Sequence, residues 1–124
     1  MAEKLSWTFA ARILGGPTIA RTGDVEIEAY VKVAVTIKKN QTQDVEIFPG
    51  AGGSAQLVVI SPAAPDEKLT YEVGGKQVPL DGPHILIGKG AVGTLGATVG
   101  TLKFENKTAA DAGVEIIAGR DATP

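Results

Sequence analysis

The chain has 124 residues with twelve basic and fourteen acidic side chains, one histidine, no cysteine and a net charge of −2 at neutral pH. That length suits a single domain, large enough to bury about 65% of the surface its unfolded form exposes. The lack of cysteine excludes disulfides and thiolate metal sites. The even spread of both charges offers no basic face to nucleic acid or anionic lipid, and no run approaches the ~20 apolar residues that span a bilayer.

Residues 1–9 contain no apolar stretch of signal-peptide length. The expected setting is therefore cytoplasmic, or within an assembled particle, with no signal peptide. Sixteen glycines and seven prolines are scattered along the chain and not gathered into a linker. Turn residues at short intervals, with Val, Ile and Thr filling the segments between, are the pattern of an all-β sandwich or barrel.

Residues 5–11 place Leu5, Trp7, Phe9 and Ala11 on alternate positions, which predicts the first strand. Residues 25–38 alternate through fourteen positions. Val25, Ile27, Ala29, Val31, Val33, Val35 and Ile37 fall on one side, and Glu26, Glu28, Tyr30, Lys32, Ala34, Thr36 and Lys38 on the other. A helix would scatter both sets around its circumference, whereas a strand keeps them apart. The segment reads as one long, half-buried strand that needs a covered sheet face.

Residues 45–48 and 55–61 predict two further strands separated by 49–54, and the unbroken apolar run 57–60 suits a strand buried on both sides. Strands 69–73 and 76–80 flank Gly74-Gly75, a two-residue turn that favours the mirror-image turn types. The register places Val73 opposite Lys76, Tyr71 opposite Val78 and Leu69 opposite Leu80. Pro79 has no amide hydrogen, so its strand belongs at a sheet edge or at least turns position 79 away from a neighbour. Residues 84–87, 91–95, 102–105 and 114–118 complete the predicted strands, and a turn around 108–112 is the one expected helix.

Two segments echo one another in order. Lys38, Asn40, Thr42, Asp44, Val45-Glu46-Ile47 and Gly50 resemble Lys103, Asn106, Thr108, Asp111, Val114-Glu115-Ile116 and Gly119. Their spacing differs, which favours a shared turn vocabulary over duplication.

Several features invite a chemical reading and fall short of it. Gly82 to Gly90 has five residues between its first two glycines where a phosphate-binding Walker loop has four, and Gly90 stands where that loop needs a hydroxyl. The glycine-rich stretch 50–54 leads into a strand, without the helix N-terminus that holds a phosphate. His84 is the single histidine, and Ser6, Ser54 and Ser61 lack the setting of a nucleophile elbow. Asp24, Glu26 and Glu28 would point one way from a strand, as paired carboxylates do in retaining glycosidases. Lys32 continues the row, however, and one Trp, two Tyr and three Phe make a poor sugar cleft.

The expectation is one antiparallel β-sandwich spanning residues 1–124, jelly-roll-like or immunoglobulin-like, with about eight to ten short strands. No catalytic residue, cofactor or metal site is assigned. The function expected is that of a non-enzymatic structural or assembly protein, a small particle component or phage-like decoration protein by analogy of fold. Its partners would be itself, as a dimer or trimer, and other protein components, with no nucleic acid and no membrane. The alternative is a ligand- or glycan-binding module using Glu26, Glu28, Tyr30 and Lys32, and a small glycoside hydrolase comes third. No stretch carries a motif specific enough to name a family.

Overall fold

A computed structural model describes residues 3–27, 29–47 and 55–120. In chain order the strands are β1 (Glu3–Arg12), β2 (Thr18–Ile27), β3 (Ala29–Ile37), β4 (Thr42–Glu46), β5 (Ala55–Pro62), β6 (Asp66–Val73), β7 (Lys76–Leu80), β8 (His84–Ile87), β9 (Thr101–Asn106) and β10 (Ala112–Arg120). Between β8 and β9 lie a single helical turn, α1 (Lys89–Val92), and a 3-10 segment, Gly93–Val99.

β1 and β2 form a hairpin of their own, while the other eight strands make two four-stranded sheets ordered β3-β10-β5-β8 and β4-β9-β6-β7. Every pairing is antiparallel. This order is the double Greek key of a jelly roll, in which the first sandwich strand lies beside the last. An immunoglobulin sandwich would instead pair more of its chain neighbours. Here, among the sandwich strands described, only β6 and β7 are adjacent both in sequence and in a sheet.

The core forms where the two sheets face each other. Ile37, Val58, Ile60, Val114 and Ile116 come from one sheet, and Leu69, Tyr71, Leu80, Leu102 and Phe104 from the other, all within 3% of complete burial. Fully burying a side chain of this size contributes about 1.5–3 kcal/mol. The strand period selects them. On β10, Val114, Ile116 and Ala118 point inward while Glu115 and Ile117 point out.

One end of the sandwich is tied by Asn106, the one polar residue fully buried among those described. Its Nδ2 donates to the carbonyls of Ile37 (2.8 Å) and Ala110 (2.9 Å), and its Oδ1 accepts from the amide (2.9 Å) and hydroxyl (2.6 Å) of Thr108. The backbone amide of Asn40 donates to the Asn106 carbonyl, and that of Lys39 to the Asp111 carboxylate at 2.9 Å. The two echoing segments are thus neighbouring corners of the jelly roll, β3 to β4 and β9 to β10, packed on one another.

Several expectations need correction. Residues 25–38 do not serve one partner: Val25 and Ile27 lie opposite Leu5 and Glu3 on β1, whereas Val31 to Ile37 pair with β10. Alternation reports which side is dry, not which strand is the partner, so it runs on across the change. Residues 91–95 are not a strand, because they fall in α1 and the 3-10 segment, where Val92 and Leu95 stand three apart and both enter the core. Residues 108–112 are not helical: 108–111 form the Asn106-bound loop and β10 starts at Ala112.

The β6–β7 hairpin keeps the expected Val73–Lys76 and Tyr71–Val78 pairs, with positive φ at Gly74 (57°) and Gly75 (83°), and β7 lies at a sheet edge as Pro79 favours. The register then shifts, so that Leu80 faces Asp66 and not Leu69, which lies opposite Asn106 on β9. The expected strand end at Phe48 and the stretch 49–54 lie outside the described residues.

Candidate functional site

The β1–β2 hairpin has two chemically distinct faces because of its register. Leu5 pairs with Val25, Trp7 with Gly23, Phe9 with Arg21 and Ala11 with Ile19 on one face, while Lys4 meets Glu26 and Ser6 meets Asp24 on the other. Near the hairpin base the apolar face is covered, with Ile27 only 3% exposed and Leu5, Trp7 and Val25 half-buried. Farther out the pattern continues and the cover stops. All the residues from 8 to 22 are exposed, including Phe9 at 39%, Ile19 at 49%, Ile13 at 66% and Leu14 at 86%.

The cover is the outer face of the β3-β10-β5-β8 sheet. Cross-strand registers line up Ile117, Val59 and Ile85 in one row, and Gly119, Leu57 and Ile87 in the next. Gly119 lets the hairpin base approach: a Cβ there would stand 3.1 Å from Ile27 Cδ1 and 3.5 Å from Leu5 Cδ1. The same contact accounts for the unbroken run 57–60. Val58 and Ile60 face the core, while Leu57, on the opposite side, is closed off beneath the hairpin base. The Ile117 row is only partly closed, and Ile85 stays 46% exposed. Between hairpin and sheet an apolar groove remains, lined by Leu5, Trp7, Phe9, Val59, Ile85 and Ile117 among others.

The opposite outer face, on the β4-β9-β6-β7 sheet, is charged. Asp44 lies across from Lys103 and Thr42 from Glu105, and Lys107 Nζ sits 3.0 Å from the Glu105 carboxylate. The sandwich therefore has one charged flank and one flank that is apolar where the hairpin overlies β10, β5 and β8.

The residues nominated from the sequence as a ligand face do not share one pairing partner. Glu26 belongs to the polar side of the hairpin, opposite Lys4, while Tyr30 and Lys32 lie on β3 opposite Gly119 and Ile117. Tyr30 is 59% exposed beside the apolar flank. Glu28 lies outside the described residues. His84 faces inward at the start of β8, where Nδ1 is 2.7 Å from the Tyr71 hydroxyl and the rings meet edge to face at 5.4 Å. Burial raises the Tyr71 pKa above its ordinary value, which keeps the phenol protonated beside the imidazole. Of the serines considered, Ser6 is on the hairpin, Ser61 points outward from β5, and Ser54 lies outside the described residues. Among the described residues no group of three histidines or carboxylates has the arrangement to hold a metal.

The distal hairpin and the groove are the features that local sequence reasoning missed. Gly15-Gly16-Pro17, following the alternating run 5–11, was the available signal for the hairpin. The groove joins segments some fifty to a hundred residues apart and has no local signal. Comparison of the chain with family models, with curated proteins and with solved structures returned no match. Among the described residues no helix is long and apolar enough to cross a membrane.

Proposed function

We propose that this chain is a non-enzymatic structural component that works by assembly, through contacts with copies of itself and with other proteins, as a small part of a particle such as a phage-like decoration protein does. The observation that carries this reading is the hairpin, whose apolar face, broken by Arg21 opposite Phe9, runs past the point where its own sheet covers it, and whose turn exposes Ile13 and Leu14. A two-stranded ribbon is marginal in water, and a contiguous exposed apolar surface marks a place where another molecule binds. The charged and apolar flanks support the same reading, since they give the sandwich an outward and an inward side. The jelly roll alone does not argue for it, because that fold serves capsids, lectins and enzymes alike.

Light scattering coupled to size exclusion tests the proposal. The mass should rise above 12.7 kDa as the sample is concentrated from micromolar upward. A mass fixed at the single-chain value would overturn assembly with itself. A glycan-binding module is the second reading, favoured by the exposure of Tyr30 alone, and one ring falls short of a stacking platform.

A further inference from the structure

We infer that the hairpin tip of one copy inserts into the apolar groove of the next, so that Ile13 and Leu14 of one chain pack between Trp7 and Phe9 on one wall and Ile85 and Ile117 on the other wall of its neighbour. The inference rests on the assembly reading and names its contact.

The turn supplies the first argument. The amide of Ile13 donates to the Pro17 carbonyl (3.0 Å), the amide of Gly16 donates to the Ile13 carbonyl (2.7 Å), and Gly15 takes φ +75°. Backbone bonds and Gly15-Gly16-Pro17 thus set the geometry, and apart from the Ile13 side chain lying over Gly16, nothing in the turn calls for large apolar residues at 13 and 14. Two large apolar side chains, 66% and 86% exposed, form a knob that the fold itself does not use.

The groove supplies the second. Its walls are the inner half of the hairpin face and the Ile117 row of the sheet, the same two surfaces that already pack on each other at the hairpin base through Leu5, Ile27 and Gly119. A knob of Ile and Leu continues that contact with the same chemistry. The chain's own tip cannot fill the groove. Ten cross-strand pairs hold the hairpin extended, and at about 3.3 Å per residue the tip stands roughly 20 Å beyond Trp7, in the wall itself.

Charge supplies the third. Arg12 and Arg21 are the only ionic residues from Leu5 to Gly23. Pairing two tips with each other would set four arginines together with no carboxylate between them, whereas the receiving groove sets Glu115 near Ile117, beside Lys32 across from Ile117 and Arg21 across from Phe9. The contact is therefore head to tail. Each copy offers a knob and a groove, and the series either closes into a ring or extends.

Complementary variants test the contact. Ile13→Glu with Leu14→Glu spoils the knob and leaves the groove, while Ile85→Glu spoils the groove and leaves the knob, each at an exposed site. Each variant alone should run at the single-chain mass in light scattering, and an equimolar mixture should form a complex of twice that mass. If the parent assembles but the mixture does not, the tip-to-groove contact is wrong and the assembly reading stands. A parent that never leaves 12.7 kDa overturns both. Cysteine variants give a second reading that depends less on tolerance of a charge, because the parent has no cysteine. Leu14→Cys mixed with Ile85→Cys should give the mixed disulfide in several-fold excess over either homodimer, and a Leu14→Cys homodimer as the main product would overturn the inference.

Discussion

The indole of Trp7 lies over Gly23, its cross-strand partner, so closely that a Cβ built on that glycine would stand 2.7 Å from Cζ2 and 2.9 Å from Cε2. A glycine inside a strand weakens it, and an aromatic ring laid across the gap restores packing. Gly23→Val should displace the ring and loosen the hairpin from the sheet, at a cost of about 1–3 kcal/mol. Trp7 is the only tryptophan, so its emission maximum reports the change directly. A shift to longer wavelength with an unchanged far-ultraviolet spectrum is expected, and an unmoved maximum would contradict the packing.

Asn106 satisfies two corners of the jelly roll with one amide group. Asn106→Ala strands the carbonyl of Ile37 in a buried setting and frees the loop at Thr108, which should cost about 3 kcal/mol in urea unfolding. Asn106→Asp keeps the acceptor and loses the donor, and should recover at most part of that loss.

The Tyr71 phenol has its pKa raised above 10.0 by burial. Above pH 10 the unfolded state therefore gives up this proton while the native state still holds it. Stability should be unaffected by Tyr71 below that pH and should fall as pH rises through the raised native value. Tyr71→Phe removes that alkaline slope and loses the bond to His84 Nδ1, a cost of about 0.5–1.5 kcal/mol at neutral pH. Chemical denaturation at pH 7 and pH 11 separates the two effects, and an equally steep loss in the Phe variant would assign the slope to another group.

Glu26 stands opposite Lys4 on the polar side of the hairpin, away from the groove. Glu26→Gln with Glu28→Gln should leave both the circular dichroism spectrum and the concentration dependence of the mass unchanged. The parent should release no reducing sugar from polysaccharides. Cleavage by the parent that disappears in the double variant would establish a hydrolase.

The parts of this fold that could be read from the sequence are those bounded by local punctuation. Strands β7 and β8 start and stop where expected because Gly74-Gly75 and Gly82-Pro83 mark their ends. The outer stretch of β2 was not legible, since Arg21 and Gly23 stand at positions where the alternation calls for apolar side chains, and the ring that completes its face belongs to Trp7 on another strand. Residues 91–95 misled for a different reason: a short apolar run fits a strand or a helical turn equally, and only contact with the core selects one. Glu26 and Tyr30 share a period in the sequence, while the chain changes pairing partner between Ile27 and Ala29, a change that alternation does not report.

That change of partner takes a single residue. Ile27 is paired within the hairpin and Ala29 within the sandwich, so one peptide unit on either side of position 28 is all that joins arm to body on this strand. A tethered arm on a long linker could reach partners in many directions, at the cost of ordering it on binding. An arm mounted this closely, with Leu5 and Ile27 seated on Gly119, aims in one. If copies join tip to groove as proposed, the angle between neighbours is set by how Leu5 and Ile27 seat the arm on Gly119 in each chain, and the curvature of the resulting ring or lattice follows from that seating.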